Sequence, residues 1–362
     1  MIVSKDKNIN TSGLIIDARS ITQLIYIYSV YGNYFSKKNS ILIWKGNKDD
    51  MLLAFRILNL DINFFLLDID ISEQNLFFNL MKSKKIINVC NKIKKLMSPH
   101  SSSFSICTCF ASGLYFDLIQ RNLKVSNSNI IQFDDGNINL FIQERKYRLL
   151  RFFINLMHGF ILFHPKYKLF SDKRFNRIYS SINLSDNNVK NINTKSIKII
   201  NNPLKNLFKT LSKNNIKISS SNSILFMTSP TIECKRMTKI EYGKLIKYVY
   251  NRLRGISDGR VYLSKHPSEK NYSDSLYKEL GFDFKYQNYP SELFLSSKNI
   301  KIIVNALNTT LMMSDQLDLL KNITSVISYC PKHSPYVPER IEQISNILEK
   351  RNINHILIDK YE

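Results

Sequence analysis

The chain has 362 residues, 44% of them hydrophobic, and carries 52 lysines and arginines against 29 aspartates and glutamates, a formal charge of +23. That length exceeds what one hydrophobic core usually serves, so two domains are expected, and the apolar content fills both. The charge favours polyanionic partners, but part of it is compositional, since lysine, asparagine and isoleucine are all abundant, and no zinc-finger spacing, aromatic RNA-binding signature or arginine stripe accompanies it; a nucleic-acid partner is not expected.

Met1 to Thr11 is polar and charged where a secretory signal needs an apolar core, which predicts a cytoplasmic protein. Gly13 to Ala18, Ile41 to Trp44, Ile62 to Asp68, Phe104 to Cys109 and Asn129 to Phe133 read as strands, and Ser72 to Met97 as an amphipathic helix. Continuous apolar runs alternating with helices predict a parallel sheet covered on both faces. The five cysteines, Cys90, Cys107, Cys109, Cys234 and Cys330, are odd in number and mostly sit in apolar runs, as buried thiols in a reducing compartment would. Leu149 to Phe163 falls short of the roughly twenty apolar residues that span a bilayer and is interrupted by Arg151 and His158. It reads as a buried or amphipathic helix, or, with Arg145, Lys146, Arg148, Lys166 and Lys168 around it, as an attachment to an anionic membrane surface.

From Ser181 to Asn222 the chain turns rich in serine, asparagine and lysine, the composition of a linker. The alternating pattern then restarts with strands at Ser223 to Met227, Gly259 to Ser264, Ile300 to Val304, Thr324 to Tyr329 and Asn354 to Asp359, and helices at Lys239 to Arg254 and Pro338 to Lys350. The expected fold class is therefore α/β of GT-B type: two Rossmann-like domains, 1–200 and 201–362, facing across a cleft that holds the site.

Four short motifs carry candidate chemistry. Asp134-Asp135-Gly136 follows the strand ending at Phe133; a hairpin turn explains the glycine but not the doubled acid. His266-Pro267 follows the strand ending at Ser264, where the proline stops the strand and the imidazole is either a hydrogen-bonded structural group or a proton donor near neutrality. Glu292, in Pro290-Ser291-Glu292, opens an apolar helix, as a first-turn charge or as a ligand group. Asn308-Thr309-Thr310 precedes Leu311-Met312-Met313, and its hydroxyls serve equally as an N-cap or as phosphate ligands. His164-Pro165 follows the acidic motif too closely to belong to a second domain, and Asp68 and Asp70 read as a solvated strand end.

In their order, Asp-Asp-Gly, His-Pro, Pro-x-Glu and paired hydroxyls before an apolar helix, these motifs resemble those of the bacterial sialyltransferases, notably the lipooligosaccharide enzymes of glycosyltransferase family 52 and the capsule polysialyltransferases. The resemblance covers roughly Ser112 to Ser314 and includes Ile154 to Lys168, which looks like the helix and aromatic turn after the acidic motif of the polysialyltransferases. It implies an inverting transfer of sialic acid from CMP-sialic acid to a hydroxyl of a bacterial surface glycan, with no metal or other cofactor. By the same resemblance Asp134 is the general base, with Asp135 and Gly136 shaping its turn. His266 meets the departing phosphate, with Pro267 fixing its loop, Glu292 holds the ribose hydroxyls, and Asn308, Thr309 and Thr310 lie at the phosphate. Threonines stand where the family usually has two serines. The early Ser-Pro-x-Gln-like loop of the family is here Ala18-Arg19-Ser20-Ile21-Thr22-Gln23, without the proline, which puts Ser20 and Gln23 on the acceptor side.

Departure of a phosphate from an anomeric carbon builds positive charge on the sugar and negative charge on the leaving oxygen. An acid and hydroxyl donors suit one face, and a carboxylate that takes the acceptor's proton suits the other. Two alternatives stand beside this reading. One is another cytidine-nucleotide transferase, of the polyol-phosphate type that builds teichoic acids, for which Asp315 supplies the expected acid after the hydroxyls. The other is a non-catalytic basic protein that binds anionic lipid or nucleic acid.

Overall fold

The structure is a computed structural model that describes residues 13–67, 76–97, 104–109, 115–133, 148–159, 177–181, 197–267, 269–307, 310–330 and 337–358. The chain divides into two compact units, Met1–Leu204 and Lys205–Glu362. Each is built on one parallel sheet.

The first unit contains β1 (Gly13–Ala18), α1 (Ile21–Tyr31), β2 (Ser40–Trp44), α2 (Lys48–Leu58), β3 (Asn63–Leu66), α3 (Leu76–Met97), β4 (Phe104–Thr108), α4 (Phe116–Asn122), β5 (Ile130–Phe133), α5 (Arg148–Met157), β6 (Arg177–Ser180) and β7 (Ile197–Ile199). Its strands lie in the order β3-β2-β1-β4-β5-β6-β7. Every residue of β1, β2 and β5 is buried, as expected of central parallel strands covered on both faces. Ile15, Ile41, Ile43, Ile106 and Ile130 of the sheet pack with Ile86, Cys90 and Ile93 of α3 and with Phe116 and Ile119 of α4. Tyr31 and Tyr179 share a buried hydroxyl contact of 3.0 Å, and Phe133 stacks on Tyr179.

The helix α6 (Asn201–Asn215) runs across the division. The second unit continues with β8 (Ser223–Met227), α7 (Lys239–Arg254), β9 (Val261–Ser264), α8 (Asp274–Glu279), α9 (Ser291–Leu295), β10 (Ile300–Asn305), α10 (Thr310–Gln316), β11 (Ser325–Tyr329), α11 (Val337–Lys350) and β12 (Asn354–Ile358). Its strand order is β12-β11-β10-β8-β9. Helix α7 starts in a full capping box between Thr238 and Glu241, which satisfies two N-terminal N–H groups, and buries Tyr242, Leu245, Ile246, Val249 and Leu253 against the sheet.

In both units the chain winds outward from a founding strand and then returns to its other side. In the first, β2 and β3 lie on one side of β1 and β4 on the other; in the second, β9 and β10 flank β8. The carboxyl ends of β1 and β4, and of β8 and β10, are therefore topological switch points, where diverging loops leave a crevice. The two Rossmann-like units make this an α/β protein of the GT-B type.

The division between the units falls inside the linker expected over Ser181 to Asn222, but that stretch is not irregular chain, because β7 and the whole of α6 lie within it. Leu204, Leu207, Phe208 and Leu211 supply α6 with a buried stripe at helical spacing amid lysines and asparagines. Cys90, Cys107 and Cys109 are buried as expected, whereas Cys234 is exposed.

Candidate active site

At the carboxyl end of the second sheet, β8 ends at Met227 and is followed by Thr228, and its neighbour β9 ends at Ser264 and is followed by Lys265, His266 and Pro267. The N–H of Glu269 donates to the carbonyl of His266 at 2.8 Å and closes a tight turn with Pro267 behind the histidine. The His266 N–H in turn donates to Thr228 Oγ1 at 3.0 Å. Thr228 is buried, and its hydroxyl donates to a carboxylate oxygen of Glu269. The residue before the histidine is equally anchored: Lys265 Nζ pairs with Asp274 at 2.8 Å and donates to Asn271 Oδ1 at 3.0 Å. His266 is half-buried and Pro267 exposed, at the carboxyl end of the sheet.

Burial pushes the Glu269 carboxyl up to about 7, against the opposing pull of the hydroxyls of Thr228 and Tyr277. Glu292 lies in the first turn of α9, which packs against β8 and α10. It is only 5% exposed. Burial raises its carboxyl above the usual carboxylate range, offset by its own backbone N–H and the Ser291 hydroxyl. Thr310 is the first residue of α10. His266 and Pro267 thus follow the carboxyl end of β9, Thr310 opens α10 after β10, and Glu292 opens α9, the helix packed against β8 and α10. Asn308 and Thr309 lie outside the described residues. Asp315 sits at the other end of α10, paired with Arg351 Nε.

In the first unit Asp134 follows Phe133, the last residue of β5; Asp134, Asp135 and Gly136 lie outside the described residues, as do His164, Pro165, Asp68 and Asp70. Ser20 caps α1 by accepting the Gln23 N–H at 3.3 Å, and buried Gln23 accepts the Arg19 N–H on its Oε1 at 2.9 Å. Both side chains hold the loop that leaves β1 at the switch point of the first sheet.

Sequence reasoning missed three polar groups there and two in the second unit. Asp17 in β1 is paired with Lys45 at 2.7 Å and accepts the Thr108 hydroxyl at 3.0 Å, so the ends of β1, β2 and β4 are joined by one buried charge cluster. Its signal was an acid inside an otherwise apolar strand. Thr228 and Glu269 had a fainter signal: the first polar residue after Ser223 to Met227, and a carboxylate three residues beyond His266. Among the described residues there is no cluster of three or more His, Cys, Asp or Glu placed to hold a metal ion, and no helix long and apolar enough to cross a membrane.

Neither a family model nor a curated protein sequence matches the chain. Solved structures do. An α/β-galactoside α-2,3-sialyltransferase from the luminous marine bacterium Photobacterium phosphoreum aligns over 96% of this chain and 98% of its own, at 12% identity and a TM-score of 0.54. The UDP-GlcNAc 2-epimerase of Neisseria meningitidis, bound to UDP-GlcNAc, aligns over 95% and 94% at 11% identity and a TM-score of 0.54. That of Methanocaldococcus jannaschii, in complex with UDP-GlcNAc and UDP, aligns over 96% and 88% at 14% identity and a TM-score of 0.53. At these identities the shared property is the fold, the two-domain GT-B architecture.

Proposed function

We propose that the protein is a nucleotide-sugar enzyme of GT-B type, and specifically an inverting sialyltransferase that moves sialic acid from CMP-sialic acid to a hydroxyl of a bacterial surface glycan, lipooligosaccharide or capsule. The observation that carries this reading is the anchored His266-Pro267 turn beyond the carboxyl end of β9, which pairs with β8, because open α/β sheets bind their ligands outside the carboxyl ends of their strands. Glu292, buried in the first turn of α9 with its carboxyl raised by burial, is suited to the ribose hydroxyls, from which its oxygens can accept. His266 stands on a rigid turn, as a group that protonates or hydrogen-bonds a leaving phosphate must. Asn308, Thr309 and Thr310 are assigned to that phosphate. Asp134 is the base, and as the acceptor oxygen attacks the anomeric carbon and the bond to phosphate breaks, its carboxylate takes the acceptor's proton. Asp135, Gly136, Ser20 and Gln23 belong to the acceptor side. No step requires a cofactor beyond the donor. The polyol-phosphate reading is weakened by Asp315, whose carboxylate is held by Arg351.

The test is release of CMP from CMP-sialic acid with galactoside and sialoside acceptors, run beside CDP-glycerol and UDP-GlcNAc. Turnover of CMP-sialic acid that falls about 100-fold or more in Asp134→Ala and His266→Ala supports the reading. Turnover of CDP-glycerol or UDP-GlcNAc alone overturns it, as does an undiminished rate in both variants.

A further inference from the structure

The hydroxyl of Thr228 does two things at once: it accepts the backbone N–H of His266 at 3.0 Å and donates its own hydrogen to Glu269. A threonine hydroxyl is a rotor that donates or accepts according to its surroundings. Here the carboxyl of Glu269 takes the hydrogen and leaves a lone pair aimed at His266. Glu269 is itself held from below. Its other oxygen accepts the Tyr277 hydroxyl at 3.1 Å, and Tyr277 shares a 3.0 Å contact with the hydroxyl of Tyr242. Both rings are buried among Phe226, Phe282 and Tyr329. Phenylalanine would fill this core at no polar cost, so the buried hydroxyls, which must be satisfied, form a track from the core to one carboxyl.

We infer that Thr228 and Glu269 are positioning residues for His266, a role that rests on His266 meeting the leaving phosphate. They fix its backbone from both sides: Thr228 holds the N–H, and the Glu269 N–H holds the carbonyl. With Pro267 restricting the next φ, the direction of the imidazole is set by a turn that cannot rotate without breaking the part-buried hydrogen bond to Thr228.

The experiment uses the full chain. Thr228→Val keeps the shape and removes the hydroxyl, Thr228→Ser restores it, Glu269→Leu removes the carboxyl and Glu269→Gln keeps an acceptor. Two readouts are taken: hydrogen exchange at the His266 amide, and kcat and KM for CMP release from CMP-sialic acid. The expected result is faster exchange at His266 in Thr228→Val and Glu269→Leu, with kcat lower by about 10- to 100-fold and KM little changed, as a misplaced reacting group produces. Thr228→Ser and Glu269→Gln should recover most of both. Unchanged exchange and unchanged kcat in folded Thr228→Val overturn the proposal, and that variant decides alone if Glu269→Leu does not fold. His266→Ala separates the two levels: if it turns over at the wild-type rate the reading of His266 is wrong, while the exchange measurement still decides whether Thr228 and Glu269 hold the turn.

Discussion

Lys45 Nζ lies 2.7 Å from Asp17 Oδ1, joining the end of β2 to the last turnward residues of β1 in an ion pair whose carboxylate side chain is 2% exposed and whose amine side chain is 12% exposed. A pair so far from water is costly to split and cheap to replace as a whole. Lys45→Met is expected to destabilise the protein by about 3–5 kcal/mol, because it strands a buried carboxylate. Asp17→Asn in the same chain should recover most of that loss, since the amide still accepts from Thr108. Urea unfolding of the two single variants and the double variant checks it; additive losses would contradict it.

Glu269 gives stability a definite pH sign. Its carboxyl rises from an ordinary 4.5 to about 7 on folding, so the folded protein holds the proton more tightly than the unfolded chain. Its contribution is therefore full below about 4.5 and is lost as the pH rises through about 7. Thr228, Tyr277 and Lys265 oppose the rise, Glu233 adds to it, and burial outweighs them. Glu269→Gln should melt with less dependence on pH than the parent across that window. Parallel melting curves for the two proteins from pH 4.5 to 7 would be the contrary result.

His355 acts with the opposite sign. Its ring lies between Ser328 Oγ, 2.9 Å from Nε2, and Ser345 Oγ, 3.2 Å from Nδ1, and burial holds its pKa below the ordinary 6.5. The folded state prefers the neutral ring, so the contribution is present above 6.5 and is lost as the pH falls through the lowered value. Melting of His355→Gln should show a shallower loss on acidification than the parent.

Gly46 sits where the loop after β2 passes the loop after β1. A Cβ added there would collide with the backbone carbonyl of Arg19 and crowd the indole of Trp44, which donates to Asn47 O at 2.7 Å. Neither obstacle is a flexible side-chain end. Gly46→Ala is expected to lower stability by about 1–3 kcal/mol through overpacking, read as a drop in the urea midpoint at constant slope.

Helix α5 presents Phe153, Leu156 and Met157 to solvent at helical spacing, in a chain of formal charge +23. If this stripe attaches the protein to the inner membrane surface, it should sediment with vesicles containing phosphatidylglycerol and not with neutral ones. Replacing the three residues with serine should weaken that binding. Equal binding to both vesicle types would remove the membrane role.

Strands that combine continuous burial with β-branched residues were legible residue by residue. Gly13 to Ala18 and Ser223 to Met227 match β1 and β8, and Lys239 to Arg254, bounded by its capping box, matches α7. Strands β6 and β7 were not, because Arg177–Ser180 and Ile197–Ile199 are too short for a period of two to stand out from polar surroundings. Of the candidate site, the positions of His266 and Glu292 at a strand end and a helix start were readable from local punctuation by Pro267 and Pro290. What supports His266 was not. Thr228 and Glu269 are 41 residues apart and meet only because β8 and β9 pair, and the tyrosines behind them look in sequence like ordinary core aromatics.

Asp318 accepts Lys205 of α6 at 2.7 Å and Arg351 of the α11–β12 connection at 3.0 Å. One half-buried carboxylate thus clasps the N-terminal half of α6 to the connection that leads into the edge strand β12. For anyone excising the C-terminal half, or grafting it onto another N-terminal half, the cut belongs ahead of Asn201: severed later, the piece would forfeit both this clasp and the buried Phe208, and would start life with an open seam.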